Sequence, residues 1–274
     1  MLTTQVGASE PVVYYSFDEL GNEVIDGSGN NNNGTRRGGL VLNADGKINA
    51  CYEFNGTDSY VELQRVIQDD FVISAWIKTD ETAPGTDHAY QGNGLFWSDV
   101  GGVANDFVVA VLGTRLSLFA GSPDTSVNSN GDIVTGDWVH ITAKRDTGAR
   151  TLSVYIDGQF DNSTPHSNTG PLNAQAVLAI GANTLDARYY TGLIDEVVIF
   201  GRTLNDGQIA GLVDGIWPEF VKAEKPEPAD GAIGVISPLL QWTPGGTARF
   251  HNVFLGTDPE NLEQVGVNQP FALY

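Results

Sequence analysis

The segment Gly192-Leu-Ile-Asp-Glu-Val-Val-Ile-Phe200 reads as a strand with one residue out of place. Period-two alternation puts Leu193, Val197 and Ile199 on one face, and Asp195 falls among them. An unpaired carboxylate in apolar surroundings costs several kcal/mol, so Asp195 requires a cation, a hydrogen-bond cage or a proton. No basic residue lies in the strand, while Asp18, Asp26 and the run Asp26 to Gly34 (DGSGNNNNG) offer hard oxygen ligands on a glycine loop. Calcium suits such a set, because it takes carboxylate, amide, backbone carbonyl and water oxygens. The spacing of the helix-loop-helix calcium loop is missing. A solvated turn at 26–34 with backbone amides capping Asp195 is the alternative, and both stay open on the residues alone.

Outward from this strand the same short alternation recurs between Gly, Asn, Asp and Pro clusters. Val12 to Phe17, Ala50 to Phe54, Tyr60 to Leu63, Phe71 to Lys78, Phe107 to Leu112, Arg115 to Ala120, Trp138 to Lys144, Leu152 to Ile156 and Val177 to Ile180 all read as strands. Together with Leu193 to Phe200 they are too many for one sheet and fit two packed antiparallel sheets. The chain is therefore expected to be all-β. Asp157-Gly158 accepts positive φ and marks a tight hairpin. Leu204 to Val213 is the one short helix, capped by Asn205 and closing the first domain. Trp76 and Trp138 fall inside strands and read as packing residues.

Composition narrows the partners. Asp plus Glu number 34 against 14 Lys plus Arg in 274 residues, a formal charge of -20. A phosphate polymer or an anionic membrane is repelled by such a chain. Charged residues are only 18% and apolar residues 41%, so a sizeable core is available. Cys51 is the single cysteine, which excludes an intrachain disulfide and a thiolate zinc site. No apolar run is long enough to span a bilayer, and Met1 to Pro11 lacks the pattern of a signal peptide. The glycine, asparagine and aspartate content favours a secreted or cell-surface bacterial β-protein.

Three pieces are expected: a sandwich over 1–220, a linker over 221–232 and a partial module over 233–274. The linker VKAEKPEPADGA combines charges and prolines that suit neither strand nor helix. Beyond it, Leu239 to Trp242 and Phe250 to Leu255 read as two further strands, too few to complete a sandwich.

Several motifs occur in order over about residues 10 to 215. They are Tyr15-Ser-Phe-Asp18-Glu19, Val24-Ile-Asp26-Gly-Ser-Gly29-Asn30, Tyr52-Glu-Phe-Asn-Gly56, Val72-Ile-Ser-Ala-Trp76-Ile77-Lys78, Trp138-Val-His-Ile-Thr142, Val154-Tyr-Ile-Asp-Gly-Gln159, Ile180-Gly-Ala182 and Gly192 to Phe200 with Leu204. This series resembles the laminin G-like jelly rolls of the concanavalin A-like lectin and glucanase superfamily. The resemblance implies a two-sheet antiparallel jelly-roll sandwich with one calcium near its paired terminal strands. It carries the metal role onto Asp18, Asp26, Asn33 and Asp195. The tail, with Pro228 to Ala232, Leu240 to Gly245 and His251 to Thr257, is similar to the opening half of a fibronectin type III-like module. That similarity implies a small truncated β-sandwich-like piece and further domains in a larger parent protein.

The superfamily holds glucanases and lectins, so the residues must decide. Retaining glycosidases need two carboxyls on one face, at i and i+2 or i+4 of a strand. Asp18-Glu19, Asp69-Asp70, Asp80-Glu81 and Asp195-Glu196 are instead adjacent pairs, which a pleated strand points to opposite faces. The four histidines lie far apart, and no glycine-rich phosphate loop precedes a helix. The expectation is a non-catalytic binding module, with a structural or protein-binding role and a jelly-roll hydrolase or lyase as alternatives. Sugar binding calls for aromatic platforms with a few polar groups. His88, Tyr90, Trp97 and Asp99 in the stretch 82–105, and Arg188, Tyr189 and Tyr190 before the Asp195 strand, supply them. A polysaccharide or glycan is the expected partner.

Overall fold

In chain order the strands are β1 (Val13–Tyr15), β2 (Glu23–Val24), β3 (Gly34–Arg37), β4 (Val41–Asn43), β5 (Cys51–Asn55), β6 (Tyr60–Gln64) and β7 (Phe71–Lys78). Then follow β8 (Asn93–Ser98), β9 (Phe107–Leu112), β10 (Arg115–Ala120), β11 (Thr125–Asp132), β12 (Val139–Asp146), β13 (Thr151–Ile156) and β14 (Gln159–Pro165). The last are β15 (Val177–Ile180), β16 (Ala182–Asn183), β17 (Arg188–Tyr189), β18 (Thr191–Phe200), β19 (Glu224–Glu227) and β20 (Gln241–Thr243), with helix α1 (Asp206–Leu212) after β18. The structure, a computed structural model, describes residues 11–102 and 104–216 and the backbone of 224–227 and 241–243.

Two antiparallel sheets form a jelly-roll sandwich. The first has the order β14-β13-β12-β7-β18-β5-β4 with β1 also on β18, and the second the order β11-β10-β9-β8-β15-β6-β3-β2. Their inner faces meet in one apolar core. The first sheet contributes Tyr15, Phe54, Phe71, Ile73, Ile77, Ile141, Val154, Ile194 and Ile199, and the second Val61, Phe96, Phe107, Val109, Leu118, Leu178 and Ile180. Each such side chain, fully buried, contributes about 1.5–3 kcal/mol. Cys51 is buried too, and burial pushes its thiol up to about 12, away from reactivity.

The alternation written into β18 breaks at its acids. Asp195 pairs with Trp76 but Val198 with Ser74, so one extra residue sits in β18 between them. Glu196 absorbs this bulge with φ of 50°. Ile194, Val197 and Ile199 face the core, and Asp195 shares the outer face with its partner Trp76. The expected grouping of Asp195 with Val197 and Ile199 is thus corrected: the carboxylate is buried under a loop, not within the core. The bulge also undoes the rule that Asp195 and Glu196 point apart.

Asp157 and Gly158 have φ of 48° and 73° and turn β13 into β14. Helix α1 begins at the Asn205 cap, whose side chain accepts from Gln208 N while Gln208 answers to the Asn205 N. Ile209 and Leu212 are its buried residues. Trp76 is buried beneath Lys47, whose ammonium lies 3.8 Å from the ring centroid, and Trp138 is half-buried just before β12. Among the described residues no helix is long and apolar enough to cross a membrane.

The chain divides into two units, Met1–Pro218 and Glu219–Tyr274. In the second, β19 and β20 pair antiparallel with an irregular register between Glu224 and Glu227. A strand therefore runs through the stretch expected to be a linker. The rest of the fibronectin-like similarity, Phe250 to Leu255 included, lies outside the described residues.

Candidate functional site

The four residues expected to hold calcium separate into two pairs. Asp18 and Asp195 both grip the loop between β4 and β5. Ala50 N donates to Asp18 Oδ1 (2.9 Å) and Asn49 Nδ2 to Asp18 Oδ2 (3.2 Å). Ile48 N donates to Asp195 Oδ2 (3.0 Å), and Glu196 N to Asp195 Oδ1 (2.9 Å). Burial pushes the Asp195 carboxyl up to about 7, with Glu196 and Asp18 adding like charge. Among the described residues each of these four oxygens accepts a single bond, where a carboxylate oxygen can accept two. Two hard carboxylates repelling each other at one loop fit a divalent cation.

Asp26 and Asn33 do not join them. Asp26 Oδ1 accepts from Tyr14 N (3.0 Å) and Ser28 N (2.9 Å), and Oδ2 from Ser28 Oγ (2.8 Å) and Asn32 N (2.9 Å). Asn33 Oδ1 accepts from Asp26 N (2.9 Å), and its Nδ2 donates to Glu23 (2.9 Å). Asp26 is committed to fastening the asparagine loop onto β1, and with the Ile48 and Glu196 amides on Asp195 the backbone-caging alternative is realised at both acids. Among the described residues no group of three or more His, Cys, Asp or Glu is arranged to hold a metal.

The residues expected to touch sugar surround the outer face of the second sheet. Register aligns one row across it: Thr35, Glu62, Ala179, Trp97, Val108, Phe119 and Ser126 are successive cross-strand partners. The 3₁₀ turn Ala89–Gln91 lies over part of this row. His88 stacks on Tyr90 at 5.0 Å, Tyr90 meets Phe119 edge-on at 5.2 Å, and His88 Nδ1 contacts Ser126 Oγ (3.1 Å). Arg188 ties the β16–β17 hairpin to this turn, donating to the Tyr90 carbonyl (2.8 Å) and pairing with Asp186 (3.3 Å).

Beside this bridge the row opens into a depression of about 200 Å³ lined by Tyr60, Glu62, Trp97, Gln175, Val177, Ala179 and Thr184. Tyr189 flanks it, 6.5 Å from Tyr60. Trp97 is 2% exposed and forms the wall of the depression, not the open platform expected of it. Tyr190 is corrected outright. It is buried in the core, and its hydroxyl bonds the Lys78 (3.1 Å) and Leu193 (3.2 Å) carbonyls, so no ligand reaches it. Tyr60 and Glu62 went unread as site residues. The signal was present in β6, where Tyr60 and Glu62 alternate with the core residues Val61 and Leu63.

Asp99 is also redirected, since its side chain is buried against Asp106 and bonds the Gly101 N (3.0 Å). Burial, then the hydrogen bond and charge of Asp99, push the Asp106 carboxyl up to about 7. Folded Asp106 holds its proton more tightly than the unfolded chain, whose value is near 3.8. The stabilisation is complete below that pH and lost as pH rises through about 7. Asp106→Asn, which donates to Asp99 at every pH, should melt higher than wild type at pH 8 and converge on it near pH 5. An unchanged difference between the two across that range, in thermal melts, would show that the shared proton contributes nothing.

The cavity beside Glu196 leaves no room for a substrate. His140 Nε2 lies 2.9 Å from Ser74 Oγ, but the adjoining cavity, which Glu196 also lines, is only about 10 Å³. Burial holds the imidazole neutral, down to about 3. That space suits one water at most.

A family model described as the concanavalin A-like lectin/glucanases superfamily matches residues 55–210, more than half of the chain. The protein belongs to that superfamily. Among solved structures it is similar to domain 4 of AbnA, a GH43 extracellular arabinanase from Geobacillus stearothermophilus, determined in complex with arabinotriose. Identity is 27% and the TM-score 0.59, over 74% of this chain and 98% of that domain. The binding domain of Paraclostridial Mosquitocidal Protein 1 (18% identity, TM-score 0.56, 75% of this chain and 52% of that one) shares the fold. So does a botulinum neurotoxin type C structure whose cell entry depends on two ganglioside molecules (14% identity, TM-score 0.59, 79% and 53%). The chain spans about half of each toxin structure. No curated protein matches the sequence.

Proposed function

We propose that the first unit is a non-catalytic, extracellular glycan-binding module of a larger bacterial protein, stabilised by calcium. The observation that carries this reading is the depression at Tyr60, Glu62, Trp97 and Ala179, with Tyr189 beside it, on the open face of the second sheet. It combines aromatic wall and hydroxyl-bonding groups as shallow sugar sites do. Its likeness to a domain solved with arabinotriose adds support. The buried positions of the Asp99–Asp106 and Asp195–Glu196 groups favour binding over hydrolysis.

Affinity gels of the full chain with arabinan, galactan, xylan and pectate test the proposal. Retardation by at least one polymer without release of reducing ends is expected. Failure to bind any of a broad glycan array, or turnover abolished by a point substitution in this chain, would overturn it.

Asp18 and Asp195 would hold the calcium, the remaining shell coming from backbone carbonyls and water. The ion would neutralise two like charges and fasten the loop at 48–50 to β18. At a concentration 100 times its Kd it would add about 2.7 kcal/mol. At roughly 2–4 °C per kcal/mol, that raises the melting temperature by about 5–10 °C over a chelated sample. Asp195→Ala should abolish the difference. Equal melting with calcium and with chelator would remove the metal from the proposal.

A further inference from the structure

We infer that the depression selects neutral sugar units over acidic ones, with Glu62 as the hydroxyl acceptor and Ala179 as the residue that makes room. The inference rests on the glycan-binding reading above. Along the cross-strand row Ala179 stands between Glu62 on β6 and Trp97 on β8. Adjacent strands lie about 4.8 Å apart, so the carboxylate and the indole flank a gap about 10 Å wide whose floor is a single methyl group. Any larger residue at 179 would fill that floor. A volume of about 200 Å³ is below the roughly 300 Å³ of small drug-like sites, which suits one sugar unit and not several.

The charges around this gap decide what kind of unit. Glu62 is the one charged residue among those lining it. The nearby cations are engaged: Arg37 pairs with Glu62 itself (2.5 Å), and Arg188 with Asp186 and the Tyr90 carbonyl. A carboxylate accepts only, and it has sites for several O–H donors at once, which neighbouring sugar hydroxyls supply. A uronate, sialate or sulfate would instead bring a second anion next to Glu62 in a protein of net charge -20. Arg37 already balances Glu62, so an acidic unit adds an uncompensated charge beside that pair, which disfavours binding.

Affinity electrophoresis and calorimetry of the full chain with arabinan and galactan against pectate and alginate test this, using wild type, Glu62→Gln and Ala179→Met. Wild type should bind a neutral polymer and leave the acidic ones unbound. Glu62→Gln should weaken neutral binding about ten- to hundredfold, the range for a hydrogen bond to a charged group. Ala179→Met should lose binding while near-UV circular dichroism shows a folded sandwich. Should that variant fail to fold, Glu62→Gln, a surface change of equal size, still decides. Preference for the acidic polymers, or unchanged neutral binding by Glu62→Gln, would overturn the selectivity and leave the glycan-binding reading standing. Absence of binding to every polymer would sink that reading, and the inference with it.

Discussion

Replacing Arg145 with methionine is expected to lower the melting temperature by about 6–20 °C. Arg145 lies on β12 opposite Phe71 and Leu152 and is 1% exposed. Its Nη1 donates to the carbonyls of Gln68 (3.1 Å) and Asp69 (2.8 Å), and its Nη2 to those of Asn168 (2.9 Å) and Gly170 (2.7 Å). One guanidinium thus fastens two loops that are a hundred residues apart in sequence. Burial pushes its pKa down, and Asp70 and Asp69 push it back. Methionine fills much of the volume but strands four carbonyls, each costing about 1–3 kcal/mol if left unpaired. Loops relax, so a net loss of about 3–5 kcal/mol is expected, in line with buried pairs cut on one side. At roughly 2–4 °C per kcal/mol this is the shift stated. Lysine should not rescue, since a single ammonium cannot fork to carbonyls on both loops. Thermal melts and hydrogen exchange at 68–70 and 168–170 check this. An Arg145→Lys protein melting within about 1 °C of wild type would refute the staple.

Nothing in the sequence pattern marks Arg145. It sits in the run His140-Ile-Thr-Ala-Lys-Arg-Asp146, where alternation predicts a strand but not that its last inward position caps the core with charge. The central strands were legible because both constraints agreed there. β7, β9, β10 and β15 begin and end where the apolar runs do. The edge strands were not. β11 (TSVNSNGD) and β14 (QFDNSTP) carry little apolar alternation because their outward positions meet water, and polar edges keep a sheet from pairing with another chain. β8 hid for a different reason. Its sequence NGLFWS has glycine at the second position and a bulge between Gly94 and Phe96, so both Leu95 and Phe96 reach the core and the period-two signal vanishes.

The same local irregularity misled the reading of the acids. The sequence shows that Asp195 is an anomaly, but only the bulge at Glu196 shows which face the carboxylate takes. The loop aromatics His88, Tyr90 and Tyr189 lie around the outer face of the second sheet, whereas Trp97 is a buried wall and Tyr190 a core residue. Trp97 lies within β8, where register assigns it the outer face, and Tyr190 lies between β17 and β18 with its ring in the core, while Tyr60 and Glu62 were read only as strand. A depression laid across β6, β15 and β8 is a property of register, and register between distant segments is not local information.

The hairpin that frames the depression hangs on one glycine, and Gly181→Ala is expected to disrupt both fold and binding. Gly181 joins β15 to β16 with φ of 88°, a conformation that costs an L-residue about 1–2 kcal/mol. A Cβ there would overlap Cε1 and Cδ1 of Phe54 and stand 3.3 Å from its Cγ. Phe54 is 1% exposed and edge-packed on Tyr190 at 6.0 Å, so its ring has no free space to take up. Overpacking of this kind adds about 1–3 kcal/mol, giving a total of about 2–5 kcal/mol. The strain has a direction. Gly181 N donates to Leu95 O (2.9 Å), and Gly181 O accepts from Tyr190 N (2.9 Å), so any shift passes to β8 and to the hairpin that carries Arg188 and Tyr189. Gly101→Ala separates the two causes, because Gly101 has φ of 73° but its nearest neighbour is Leu185 Cδ1 at 3.9 Å. Denaturant unfolding should show Gly101→Ala losing only the backbone part. Gly181→Ala should lose more than twice as much and bind glycan more weakly even under conditions where it stays folded. Equal losses in the two variants would mean that the Phe54 contact relaxes at no cost and that the hairpin does not depend on it.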